Sequence, residues 1–134
     1  MGHGWAHRQR GGKEWWRHRR ELYQPILVSL MDLHIHSRHR LRLEKESDPA
    51  DPKFQTRLEE AIEKAASAMT ELQRASAIAI VLGDDVHTAL DELETQWLNA
   101  THQKTSLGEA EERYAAVLKV RHCVEATARR HLRL

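Results

Sequence analysis

Apolar residues recur along this chain at intervals of three and four, the spacing that lines one side of an α-helix. Tyr23, Ile26, Leu27, Leu30, Leu33 and Leu41 keep that step and predict a first helix from about Glu14 to about Lys45. Pro25 falls inside this segment. Proline lacks an N–H and crowds the preceding turn, so a kink is expected there, because Leu22 and Tyr23 extend the same stripe backwards. The segment Ser47-Asp48-Pro49-Ala50-Asp51-Pro52 breaks the pattern. Asp51 before Pro52 reads as an N-cap with proline at the first helical position.

The clearest stripe follows. Phe54, Leu58, Ala61, Ala65, Met69, Leu72 and Ala79 predict a second helix from about Pro52 to Leu82, with alanines that let a neighbouring helix approach closely. Gly83 interrupts it, and Asp84-Asp85 suit a helix start, where carboxylates meet the positive end of the dipole. Gly83 is either a turn that reverses the chain or a kink in one bent rod. A third helix, from about Asp85 to Ala100, turns Val86, Leu90, Leu93 and Trp97 inward. Thr101 to Thr105 form a polar loop. Ser106-Leu107-Gly108-Glu109 has the capping-box form, Ser106 capping forward and Glu109 reaching back. A fourth helix runs from about Leu107 towards the C-terminus on Ala110, Tyr114, Val117, Val124 and Ala128.

Short links make neighbouring helices antiparallel. The fold expected is all-α: an elongated antiparallel bundle of three or four helices, with helices one, two and four long. Residues 14–134 form this single domain. Residues 1–13, MGHGWAHRQRGGK, hold four glycines and several cations without apolar periodicity, and read as a flexible basic arm.

A net charge of +1 conceals an uneven distribution. Residues 1–46 carry ten Lys/Arg against five Asp/Glu, residues 47–112 five against fourteen, and residues 113–134 six against one. Basic ends therefore flank an acidic middle. The single cysteine, Cys123, excludes an intramolecular disulfide, and a reducing cytoplasm is the expected location. The longest apolar stretch, Pro25 to Met31, is broken by Ser29 and falls far short of the ~18 residues that span a membrane. No apolar stretch precedes residue 25, so the N-terminus is not read as a secretory signal.

Ten histidines raise the question of a metal. In His34-Ile35-His36-Ser37-Arg38-His39, His36 and His39 share a helix face while His34 points elsewhere, and Arg38 and Arg40 would repel a cation. That cluster is read as a solvated helix face, and no cofactor is expected. Cys123 beside His122 is read as structural, since adjacent helical residues point about 100° apart. Glu59-Glu60, Asp84-Asp85 and Glu111-Glu112 fit helix starts and charged faces better than acid–base chemistry. No enzyme is expected.

Two stretches carry a likeness. Arg19-Arg20-Glu21-Leu22-Tyr23 leads into an apolar helix, and Ile78, Ile80, Gly83, Val86 and Ala89 form a central small-and-apolar pattern. Together they resemble a loose group of small uncharacterised helical proteins common in actinobacteria. The resemblance covers under a third of the chain. It implies a helical hairpin or bundle and brings no assigned activity or site residues.

The function expected is that of a non-enzymatic protein-interaction or scaffold module, with a protein partner or a second copy of the chain. Leu41, Leu43 and Trp97 are the candidate exposed contacts for self-association. The alternative is a nucleic-acid-binding accessory protein. It would use the basic segment Arg8, Arg10, Lys13, Arg17, Arg19 and Arg20, interleaved with Trp15 and Trp16, joined by Arg129, Arg130 and Arg133 if the bundle brings both ends together. Peripheral membrane contact is not expected.

Overall fold

The computed structural model describes the backbone of residues 2–78 and 82–132, and side chains from 17–77 and 82–132. Within these residues the chain forms four α-helices and no strand: α1 (Gly2–Glu46), α2 (Phe54–Ile78), α3 (Asp84–Asn99) and α4 (Ser106–Leu132), with a short 3-10 turn at Ala100–His102 before α4. None of them is long and apolar enough to cross a membrane.

Side-chain pairs fix the topology. Leu43 near the end of α1 packs with Leu58 near the start of α2, so these two run antiparallel. Tyr23 reaches His131 at 2.8 Å while Arg40 reaches Glu109 at 2.9 Å, which makes α4 antiparallel to α1. Trp97 near the end of α3 lies against Arg113 near the start of α4. The helices thus alternate up and down, as the sequence implied for an elongated antiparallel bundle. α1 packs on both α2 and α4, and α3 packs on α4. Gly83 is the turn. It holds φ +107°, a left-handed backbone that only glycine takes without strain, and the chain reverses there.

The core follows the predicted stripes. Tyr23, Ile26, Leu30 and Leu33 of α1 meet Ala65, Met69 and Leu72 of α2, the predicted Val86, Leu90, Leu93 and Trp97 of α3 with Ala89 beside them, and Val117, Val124 and Ala128 of α4. A smaller cluster of Leu43, Leu58 and Ala61 closes the α1–α2 end, with Phe54 half-buried beside it. The link between these helices is held by its own aspartates. Asp48 Oδ1 accepts the Ala50 N–H and Asp51 Oδ1 the Lys53 N–H, each at 2.9 Å, so Asp51 closes a turn just ahead of α2, which begins at Phe54 rather than Pro52. Pro25 sits on the exposed side of an unbroken α1, where water can serve the carbonyl it leaves unpaired.

Several expectations are corrected. α1 begins at Gly2 rather than near Glu14, so the backbone of residues 2–13 is helical. The α4 cap is Thr105, not Ser106. Thr105 Oγ1 accepts the Gly108 N–H at 2.9 Å, and a Cβ at Gly108 would come within 3.0 Å of that oxygen. Ser106 and Glu109 turn instead to α1. Leu43 and Trp97 are both 8% exposed and Leu41 is half-buried, so none of them forms an outward seam. Trp97 packs in the main core and Leu43 in the smaller cluster. Cys123 is exposed rather than packed. Ala79 and Ile80, on the predicted second stripe and in the actinobacterial pattern, lie outside the described residues.

Candidate interaction surface

α1 is central to the bundle, yet one of its sides remains uncovered. Val28, Met31 and Ile35 follow one another at i, i+3 and i+7 and are 54%, 41% and 51% exposed. Scattered exposed apolar residues are ordinary, but three aligned on one helix face make a stripe. Leu118 of α4 is also exposed, on the same side as Tyr114 and Arg121, which both touch His34 of α1. Beside the Met31–Ile35 end of the stripe lies a shallow basic depression of about 560 Å³, whose lining includes Arg38, Arg42, Lys64 and Arg121. The neighbouring groove between α1 and α2 has the opposite character, with Asp32, Glu60, Glu63 and Glu71 on its walls.

The three clustered histidines all line the basic depression: His39 is exposed, His36 is half-buried and also borders the acidic groove, and His34 reaches α4. The Arg121 guanidinium donates to His34 Nδ1 at 2.8 Å, and Arg121 also pairs with Glu125 at 2.7 Å. Burial, then the charges of Arg121 and Arg38, hold the His34 pKa below the usual imidazole value, against a smaller opposite pull from Glu125. Its ring is therefore a neutral acceptor. No group of three or more His, Cys, Asp or Glu side chains among the described residues could hold a metal ion.

At the Tyr23–His131 end the two basic termini converge. Arg19 of α1 and Arg130 of α4 both act on this pair. His131 is lowered chiefly by burial, then by these two arginines, with Asp85 of α3 opposing. Burial raises Tyr23. Arg17, Arg20, Arg129 and Arg130 are exposed here, whereas Arg19 is half-buried. The side chains of Arg8, Arg10 and Lys13, and Arg133, lie outside the described residues.

The far end holds a cluster that periodicity did not reveal. Arg40, 4% exposed, donates to Glu109 Oε1 at 2.9 Å and to Ser106 Oγ at 3.3 Å. Arg113 reaches the same Glu109 oxygen at 3.1 Å, lies 4.5 Å over the Trp97 ring, and donates to the Trp97 carbonyl. The Ser106 hydroxyl also bonds Glu44. Three helices are thereby tied by charge. A signal was present: the inward step Tyr23, Ile26, Leu30, Leu33 continues to Ser37 and Arg40, while Val28, Met31 and Ile35 fall outside it. No family model, curated protein or solved structure matches the chain.

Proposed function

We propose that this chain is a helical protein-interaction module that docks through the outer face of α1. The observation that carries the reading is the exposed stripe Val28, Met31 and Ile35 beside a cationic depression. Exposed apolar positions at i, i+3 and i+7 present the anchors by which one helix recognises another. This is the function read from the sequence, moved from Leu41, Leu43 and Trp97 to residues that are accessible. A photo-crosslinking side chain at Ile35 in cells tests it. A discrete adduct is expected there and not at the more exposed Leu98 of α3, and Met31→Lys should abolish it. Equal labelling at both positions, or none at Ile35, would overturn the reading.

A second reading, nucleic-acid contact, is favoured by one observation: the approach of Arg19 and Arg130 around Tyr23 and His131. Labelled DNA and RNA titrated at two salt concentrations test it, each neutralised phosphate adding about 0.7–0.9 to the salt slope. Arg20→Glu with Arg130→Glu should flatten that slope. No binding at low salt retires the reading.

A further inference from the structure

We infer that the partner on the α1 face is a second copy of this chain, its α1 lying antiparallel to the first across a two-fold axis near Met31. The inference rests on the interaction reading above and names its occupant. The argument is the order of charges along the face. Val28, Met31 and Ile35 form the centre. Continuing the same three-and-four step leads back through Gln24 to Glu21 and Arg17, and forward through Arg38 to Arg42 and Glu46, all of them exposed. The order along the face is plus, minus, neutral, apolar, plus, plus, minus, with Gln24 and Arg38 flanking the apolar centre.

Such an order is complementary to itself only when reversed. With the axis between Met31 and Asp32, Val28 lies at the same sequence distance from it as Ile35, Glu21 the same as Arg42, and Arg17 the same as Glu46. Two antiparallel copies therefore set Val28 against Ile35 of the partner subunit. They also set Glu21 against Arg42 of the partner subunit and Arg17 against Glu46 of the partner subunit, each twice by symmetry. A parallel pair would set Glu21 on Glu21 and Arg42 on Arg42, which repel. Arg17 and Glu21, like Arg42 and Glu46, are spaced i, i+4, yet among the described residues no ion pair forms within either couple. Their charges remain available to a partner. From Arg17 to Glu46 the helix offers roughly 45 Å of contact at ~1.5 Å per residue.

Sedimentation velocity and light scattering of the full chain, over a wide concentration range, test the inference. The expected mass is twice 15.6 kDa. Glu21→Arg alone and Arg42→Glu alone should each raise the dimer Kd roughly tenfold, since each breaks two ion pairs and creates two repulsions. The double variant Glu21→Arg/Arg42→Glu exchanges the signs and should return Kd to within about threefold of the parent. Both positions are exposed, so circular dichroism should be unchanged, and Ile35→Asp should give a folded monomer. A single-chain mass at every concentration overturns the second copy as occupant. The interaction reading survives that result if Ile35 still crosslinks to another protein, and falls with it if no adduct forms. A double variant weaker than either single one overturns the antiparallel arrangement.

Discussion

Replacing Glu109 by glutamine should damage this bundle more than removing the arginine it faces. Glu109→Gln keeps the shape of the side chain and deletes only its charge. Two guanidiniums then share a site without their carboxylate, and the Arg40 side chain is only 5% exposed. Breaking a buried ion pair by removing one partner costs about 3–5 kcal/mol. Glu109 is itself 24% exposed, so water offsets part of this and ~2–4 kcal/mol is the reasonable scale. Arg40→Met removes the more deeply buried ion and leaves Glu109 paired with Arg113 at 3.1 Å. A methionine fills much of the same volume, so that change should cost about 1 kcal/mol or less. In urea, with a slope of about 1.5–2 kcal/mol/M, the midpoint should fall by roughly 1–2.7 M for Glu109→Gln and by under ~0.7 M for Arg40→Met. Equilibrium unfolding followed by far-ultraviolet circular dichroism measures both. Equal losses, or a larger loss for Arg40→Met, would refute the view that uncompensated charge governs this cluster.

Other outcomes follow from single sites. His34 and His131 have pKa values held below the ordinary imidazole value, so the unfolded chain takes up protons that the fold does not. Stability should therefore decline as pH falls below about 6.5, and the double variant His34→Gln/His131→Gln should flatten the dependence of Tm between pH 7.5 and 5.5. Trp97→Ala should cost about 3–5 kcal/mol in urea unfolding, because it empties a core position and strips the ring from beneath Arg113. Gly83→Ala meets no atom within 4 Å, so its cost is that of the backbone at φ +107° and ψ 166°, about 1–3 kcal/mol, measurable as a lowered Tm. Thr105→Ala should cost about 1 kcal/mol by loss of the α4 cap, whereas Ser106→Ala should leave the Gly108 N–H protected in hydrogen exchange.

The helical segments and their antiparallel run were readable because the buried positions of α2 and α3 repeat with few interruptions, while Gly83 left three helices or four open. Leu58, Ala61, Ala65, Met69 and Leu72, then Val86, Leu90, Leu93 and Trp97, all face the core. α1 was harder. Its charged residue Arg40 lies inward and its apolar residues Val28, Met31 and Ile35 lie outward, so hydrophobicity alone misassigns both sides. What reverses the usual rule is a partner remote in the chain: Glu109, brought to Arg40 by the fold, makes burial of the guanidinium tolerable. The cap of α4 was misread for the same reason. Ser106 and Glu109 satisfy the local pattern, but long-range bonds to α1 engage them and leave Thr105 to cap. Of the proposed basic contacts, the meeting of the two ends followed only if Gly83 reversed the chain, which its φ of +107° accommodates. The outward face of α1 emerged only once its neighbours were known.

The position of α1 between α2 and α4 also bears on how the chain comes off the ribosome. α1 and α2 are complete early, and their hairpin can close around Leu43, Leu58 and Ala61 at once. The faces of Tyr23 and Leu33 meet their remaining neighbours only when Val117, Val124 and Ala128 exist. At ~5–20 residues per second, synthesis from Ile78 to Leu132 takes roughly 3–11 s. For that interval the nascent hairpin carries a bare apolar core face on one side of α1 and the Val28–Met31–Ile35 stripe on another. Translation speed through α3 and α4 thus sets how long the half-made bundle is open to aggregation or to chaperone capture.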